Sequence, residues 1–469
     1  MDELSSCDGL ETARLVRSGY VTAFEVLEAS IARLERSEPL LNATASLFVD
    51  RALTRAATLP SEALFAGVPT LLKDLTEELD GTPMTSGSGL FRDYVCKSTM
   101  PVAKAYEGAG FLIFGRSTSP EFGLTACTES KLHGITRNPW NLARTPGGSS
   151  GGAAALVAAR VVPLAHGTDG AGSLRIPASY CGLVGLKPSR GRVSRGESWS
   201  DLSATHALCR SVRDAAAILQ ITSGEIGGAP YRAPPLEDFS PTSLAAPPRL
   251  RIGMIRQHFN GVPTDPEVDA ATLDTAKLCE AMGHHVEEAS VEGVDFAALR
   301  QAIGKSSAVG MMELFRSIEA SRGRPVTLDD VEMVPFVLAQ LGAEVSAAEV
   351  LGAREAIYRM GWIFAPFFEK YDLMLSPATS QKAAKHGVLS LSPEKFEDFG
   401  EAVTRLGLFT LVANVTGSPS ISVPLYWTPE GLPIGSMFTA RYGKDLLLLQ
   451  LAAELEKARP WHDRRPPGY

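Results

Sequence analysis

TPGGSSGGAAALVAARVVPLAHGTDGAGSLR, residues 145–175, is the stretch from which the fold of this chain is read. Its Ala-rich middle, 152–159, has helix-forming composition, and the short apolar run Val161-Val-Pro-Leu164 that follows reads as a strand. Helix and strand in quick alternation predict an α/β protein. The ends carry the chemistry. Four glycines around Ser149 and Ser150 let backbone approach a ligand, and the following helix start turns N–H groups outward. In the second loop, Gly170-Ala171-Gly172-Ser173, successive N–H groups can form a nest facing a developing negative charge. Taken singly, each loop is equally well a turn or a plain anion-binding loop.

Working outward, Gly67-Val-Pro-Thr-Leu-Leu-Lys73-Asp74 places a lysine behind apolar residues in a strand, where most lysines snorkel to solvent or pair with an acid. Phe111-Leu-Ile-Phe114 is a second short apolar run. Thr22-Ala-Phe-Glu25 has capping-box spacing, with Phe24, Leu27, Ile31 and Leu34 at helical intervals behind it. N-terminal helices are expected over about 8–58 and a core over about 60–225. The Pro- and Gly-rich 227–248 reads as a connector, and 264–370 as a helical region with a second capping box at Ser346–Glu349. Strand-like runs return at Leu250–Ile255, Tyr371–Leu375, Ile421–Val423 and Ile434–Phe438, before a last helix over 444–458.

Composition narrows the partners. The chain has 469 residues, 45% apolar and 21% charged, with a formal charge of −8 and no Lys/Arg run, which argues against nucleic acid. No uninterrupted apolar run reaches the ~18 residues of a membrane span, and the acidic start does not resemble a signal peptide. A soluble cytoplasmic protein is the expectation. Cys7, Cys96, Cys127, Cys181, Cys209 and Cys279 are scattered without C-x-x-C or metal-ligand spacing, so free and mostly buried thiols are expected, and no metal.

An alkyl hydroxyl needs a base beside it at neutral pH. Near the serines the only histidine is His166, which reads as a satisfied core residue. A lysine can serve instead if burial keeps it neutral, and Lys73 has apolar neighbours on its strand. Alternation along the strand turns Asp74 to the other side.

At these residues the chain resembles the amidase-signature family. The likeness runs from Arg144-Thr-Pro-Gly-Gly-Ser-Ser-Gly-Gly through Gly167-Thr-Asp and Ser173-Leu-Arg-Ile-Pro to Gly185-Leu-Lys187-Pro, with the two serines 24 residues apart. Leu72-Lys73-Asp74, Pro120-Glu121-Phe122, Arg137-Asn-Pro-Trp140, Arg210-Ser-Val-Arg-Asp214, Asn414-Val-Thr-Gly417 and Gly431-Leu-Pro433 extend it over nearly the whole chain, most weakly over about 226–345. The stretch Ile176–Arg192 is similar to the branch that hydrolyses 6-aminohexanoate cyclic dimers.

The resemblance implies one amidase domain over 1–469, built on a single large mixed β-sheet covered by helices on both faces. It implies Ser173 as nucleophile, Ser149 as a bridging serine on a cis peptide, Lys73 as the ultimate base, and the backbone N–H groups of Gly170, Ala171, Gly172 and Ser173 as the oxyanion hole. It implies hydrolysis of a carboxylic amide through an acyl-enzyme, with a small-molecule substrate, no cofactor, and by analogy a homodimer. Two departures stand out. Gly170-Ala171-Gly172 replaces the usual Thr-Gly-Gly, adding a methyl beside the oxyanion, and Ser117-Thr118-Ser119 replaces Thr-Asn-x, which bears on packing or substrate fit.

Three rivals remain. Gly148-Ser-Ser150-Gly-Gly152 formally satisfies G-x-S-x-G, with Ser150 as the nucleophile of an α/β-hydrolase, but no strand precedes it. The glycine loops could form an anion- or nucleotide-binding module, although no P-loop lysine follows them. The chain could also be the amidase subunit of a transamidating complex. Substrate identity is not encoded in these residues. Pocket-lining positions are expected in 127–133, 300–345 and 376–388, with Met311, Met312, Phe315 and Phe336 offering an apolar wall or ordinary core.

Overall fold

A computed structural model describes residues 2–60, 62–196, 202–224, 228–229, 231 and 234–469. Parts of the expected core (Ser61, 197–201 and Glu225) and of the expected connector (Gly227, Pro230, Arg232 and Ala233) lie outside the described residues.

Besides a two-stranded pair at Glu129–Ser130 and Gly134–Ile135, eleven strands organise the described chain: β1 (Thr44–Leu47), β2 (Pro69–Lys73), β3 (Leu112–Ser117), β4 (Leu164–Asp169), β5 (Val184–Lys187), β6 (Ala204–Cys209), β7 (Arg251–Met254), β8 (His285–Glu288), β9 (Leu373–Pro377), β10 (Ser420–Trp427) and β11 (Pro433–Ala440). Eight of them form one mixed sheet in the order β8-β7-β9-β11-β10-β5-β6-β4, parallel from β8 to β9 and antiparallel from there to β4. The other three form a sheet in the order β1-β3-β2. No backbone ladder joins the two sheets. Side chains bridge β2 to β4 instead: Thr70 Oγ1 donates to Leu164 O at 3.0 Å, and the Lys73 N–H donates to His166 Nδ1 at 3.2 Å. The catalytic candidate Lys73 stands at this seam.

The principal helices are α1 (Gly9–Arg17), α2 (Ala23–Leu41), α3 (Gly151–Ala158), α4 (Arg175–Cys181), α5 (Val212–Thr222), α6 (Phe296–Arg322), α7 (Met333–Gly342), α8 (Ala347–Lys370) and α9 (Asp445–Ala458). Both capping boxes form, Thr22 with Glu25 on α2 and Ser346 with Glu349 on α8. Strand alternation then splits the core. Leu72, Leu164, Leu373, Leu375 and Phe438 face the side packed by α5 and α9. Their neighbours Leu71 and Ala165 face α3 and α4, and Met374 and Met437 face α8. Helices therefore cover both faces, as the α/β reading requires.

Two local readings shift. The apolar run at Val161 starts a turn, and the strand itself is Leu164–Asp169, so the Gly167-Thr-Asp segment is strand before it is loop. The helical region 264–370 also contains β8, whose sequence His-Val-Glu-Glu is half-exposed on the sheet edge. An edge strand buries little, so its sequence need not be apolar. All six cysteines are free thiols, five of them buried. Among the described residues no single helix is long and apolar enough to cross a membrane.

Candidate active site

Lys73 ends β2 on the face turned toward α3, and none of its surface reaches solvent. Its Nζ lies 2.7 Å from Ser149 Oγ and donates to Thr168 Oγ1 at 2.9 Å. Burial drives the amine down to about 7, outweighing the pull of Asp169, while Arg195 adds repulsion. A large neutral fraction at physiological pH is the consequence. Asp74 points elsewhere, accepting from Thr85 N–H (2.7 Å), Thr85 Oγ1 and Gly87 N–H (3.2 Å). His166 is the satisfied core residue expected of it. It accepts from Lys73 N–H, contacts Thr205 Oγ1 at 2.8 Å, and is held down to about 3 by burial and then by the Lys73 charge. It therefore stays uncharged near neutrality.

Ser149 follows a cis peptide from Gly148 and is 2% exposed. Gly148 packs so tightly on the Cys127 backbone that a Cβ there would run into it. Gly147 lies against α4, where a Cβ would come within 2.9 Å of Pro177 Cα. Ser150, wholly buried, ties the first loop to the second: its Oγ donates to Thr168 O at 3.1 Å and accepts Thr168 N–H at 3.3 Å. A hydroxyl engaged in this way is a structural clamp. No strand leads into it either, which removes the two features an α/β-hydrolase elbow requires.

Ser173 lies in the turn just before α4, partly exposed, and its hydroxyl has no hydrogen bond among the described residues. Asp169, fully buried, shapes the loop before it. Its carboxylate takes the N–H of Gly172 (2.8 Å) and Leu174 (3.1 Å), both arms of the Arg175 fork (2.9 and 2.8 Å) and the Asn414 amide (2.9 Å). Burial alone would raise this carboxyl, yet Arg175 and Asn414 hold it well below the usual carboxylate range. One expectation is corrected here: the Gly172 N–H is spent on Asp169, so it is not an open donor of the nest. The N–H groups of Gly170, Ala171 and Ser173 have no protein acceptor among the described residues. At Gly172, φ is +132° and a Cβ would strike Thr410, so glycine is needed there for geometry. Thr410 Oγ1 also donates to Ala171 O at 2.6 Å, fixing the peptide that carries the extra methyl.

Asp169, Arg175, Asn414, Thr168 and Thr410 were given no role from sequence. Asp169 and Arg175 sit inside the glycine-rich segment, four residues before and two after Ser173, and that spacing was the available signal. Asp169→Ala would leave Arg175 as a buried unpaired cation. It is expected to lower unfolding free energy by about 3–5 kcal/mol, read from denaturant titration.

Of the residues offered as an apolar wall or ordinary core, Met311, Phe315 and Phe336 join one hydrophobic cluster. Gly123 abuts Ser149, a Cβ there lying 3.1 Å from its Oγ, and the adjoining Phe122 packs with Met311 and Phe315 of α6 and Phe336 of α7. The Phe122 and Phe315 rings meet edge-on at 6.4 Å. Met312 lies outside this cluster, beside Gly342. Among the described residues no group of three or more His, Cys, Asp or Glu side chains could hold a metal ion.

A buried lysine on Ser149, with the partly exposed Ser173 following the glycine loop, is the arrangement the chain presents for comparison with known proteins. The sequence profile of the amidase family matches residues 25–449, and the chain belongs to that family. It is 36% identical to the 6-aminohexanoate-cyclic-dimer hydrolase of Paenarthrobacter ureafaciens, over 98% of this chain and 96% of that protein. It is 33% identical to the lipoamidase of Enterococcus faecalis, over 95% of this chain and 62% of that one. The solved structure of 6-aminohexanoate cyclic dimer hydrolase with substrate superposes with a TM-score of 0.91 at 35% identity, covering 99% of both chains. A bacterial aryl acylamidase structure gives 0.90 at 26% identity, covering 100% of this chain and 99% of that one.

Proposed function

We propose that this chain hydrolyses the C–N bond of a small-molecule carboxylic amide through an acyl-enzyme on Ser173. The observation that carries the reading is the 2.7 Å contact between Ser149 and a lysine whose pKa burial lowers to about 7. Ser173 Oγ adds to the carbonyl while Ser149 takes its proton and passes its own to neutral Lys73. The tetrahedral oxyanion rests on the N–H groups of Gly170, Ala171 and Ser173, with Asp169 holding the loop rigid from behind through Gly172. Collapse sends the proton back through Ser149 to the leaving amine. Water then adds to the acyl-enzyme by the same route and releases the carboxylate. The whole chain acts as one amidase domain, and its six free thiols suit the reducing cytoplasm.

The apolar cluster of Phe122, Phe315 and Phe336, reached through Gly123 beside Ser149, favours an apolar segment in the substrate. Members acting on cyclic aliphatic, lipoyl and aryl amides are among the relatives, so a panel of linear aliphatic, cyclic and aryl amides, scored by released amine, is the direct test. Turnover of at least one class above the enzyme-free rate is expected. Hydrolysis of esters alone, with no amide turned over, would overturn the reading.

A further inference from the structure

Ser149 leads into α3 and Ser173 into α4. The far ends of both helices, Ala158 with Arg160 and Cys181 with Leu183, line one cavity of about 320 Å³, closed on its other side by Arg210, Trp461 and Arg464. None of Lys73, Ser149 and Ser173 lines it. An eight-residue helix puts it roughly 12 Å behind the serines.

Its charge is unbalanced. Arg160, 5% exposed, donates among the described residues to carbonyls: Ser5 O (3.2 Å), His462 O (2.6 Å) and Arg464 O (3.4 Å). Arg210 donates to Val162 O at 3.2 Å and to Cys7 O. Neither has a carboxylate in ion-pair contact among the described residues. Burial, then repulsion from Arg210 and Arg465, pushes Arg160 down to about 10, with Asp463 opposing; burial likewise lowers Arg210 to about 10 against the pull of Asp214 and Asp8. Arg464 borders the cavity as well; its backbone O accepts from Arg160, and its guanidinium lies 5.0 Å over the ring of Trp427, which is not among the lining residues.

The acids nearby are mostly spent. Asp8 pairs with both arms of Arg213 (2.6 and 2.8 Å), Glu11 pairs with Arg14, and Asp214 accepts the N–H groups of Gly9 and Leu10. Glu456 lacks a cationic partner among the described residues. It faces the Val212 N–H at 3.3 Å, and burial pushes it up to about 7.

We propose that this cavity binds a small organic carboxylate. Guanidinium groups match a carboxylate's two oxygens, the Trp140 and Trp461 side chains supply apolar surface for an organic body, and Glu456 discriminates against a doubly charged anion. The indole N–H groups of both tryptophans are already used, on Cys181 O (2.9 Å) and Arg210 O (2.8 Å). The size falls at the small end of ligand sites, which suits a chain of a few carbons. Amide hydrolysis releases a carboxylate, so product would have a second seat behind the serines; that consequence, and not the site, rests on the amidase reading.

Melting temperature and calorimetry with hexanoate and with inorganic phosphate test the site without any turnover. Hexanoate is expected to bind saturably and raise the melting temperature, phosphate to bind more weakly. Arg464→Glu, on an exposed side chain, and Arg160→Gln are each expected to weaken hexanoate at least about tenfold. Absence of saturable binding to the unmodified chain overturns the site. So does an Arg464→Glu protein, folded by its melting curve, that retains full affinity, since the carboxylate would then sit elsewhere. Tighter binding of phosphate than of hexanoate overturns the ligand class.

Discussion

Ser173→Ala is expected to lower kcat/KM for amide hydrolysis by at least ~10⁴-fold while leaving the folded protein intact. The loss is large because the covalent route disappears, and the donors around it cannot replace a nucleophile. Stability should move by no more than about 0.5 kcal/mol, because the Ser173 hydroxyl is partly exposed and bonds to nothing among the described residues. Ser150→Ala should behave the opposite way. Its Oγ is wholly buried and satisfies both the N–H and the C=O of Thr168, so removing it costs about 1–3 kcal/mol of stability while the folded fraction keeps its chemistry. Amine release and urea midpoints measured on both variants separate the two serines. Activity within tenfold of wild type in Ser173→Ala would end the assignment, and a chemical loss confined to Ser150→Ala would restore the rival nucleophile.

The parts of this fold legible in sequence are those decided by near neighbours. Glu25 and Glu349 sit three residues beyond their capping threonine and serine, and both helices start there. Leu71 and Leu72 go to opposite cores because a strand alternates whatever the rest of the chain does. Asp74 turns from Lys73 for the same reason. The candidate residues Lys73, Ser149 and Ser173 each stand in a distinctive local motif, and the first two meet at 2.7 Å. What sequence did not reveal depends on distant partners. Asn414 reaches Asp169 from 245 positions away, and that carboxylate is what the Gly172 N–H turns inward to meet. The contact of Lys73 with Thr168 likewise exists only because β2 meets β4 through side chains at a seam without a ladder. β8 escaped notice because its neighbour β7 supplies the pairing that its own composition does not advertise.

Lys73→Met is the second variant with a large expected effect, and its signature lies in pH. In the proposed mechanism the base is the neutral amine, so the active fraction grows as protons leave. Log kcat/KM should therefore climb with unit slope below about 7 and flatten above it, far below the titration of an exposed lysine. Burial sets that position, and Asp169 opposes it without prevailing. Methionine keeps the bulk and removes the base without leaving an unpaired charge, so the fold should hold. The rate should fall by ~10²–10⁴-fold, the usual worth of a positioned base, and the limb near 7 should vanish. A histidine is the ordinary owner of such a limb, and His166 is close enough to accept the Lys73 N–H. Its imidazole is held down to about 3, however, so it stays neutral across the whole range and cannot produce a transition near 7. His166→Gln should accordingly retain the limb at nearly the same pH even if stability drops. A limb that survives Lys73→Met and disappears in His166→Gln would transfer the base to the imidazole and dismantle the lysine mechanism.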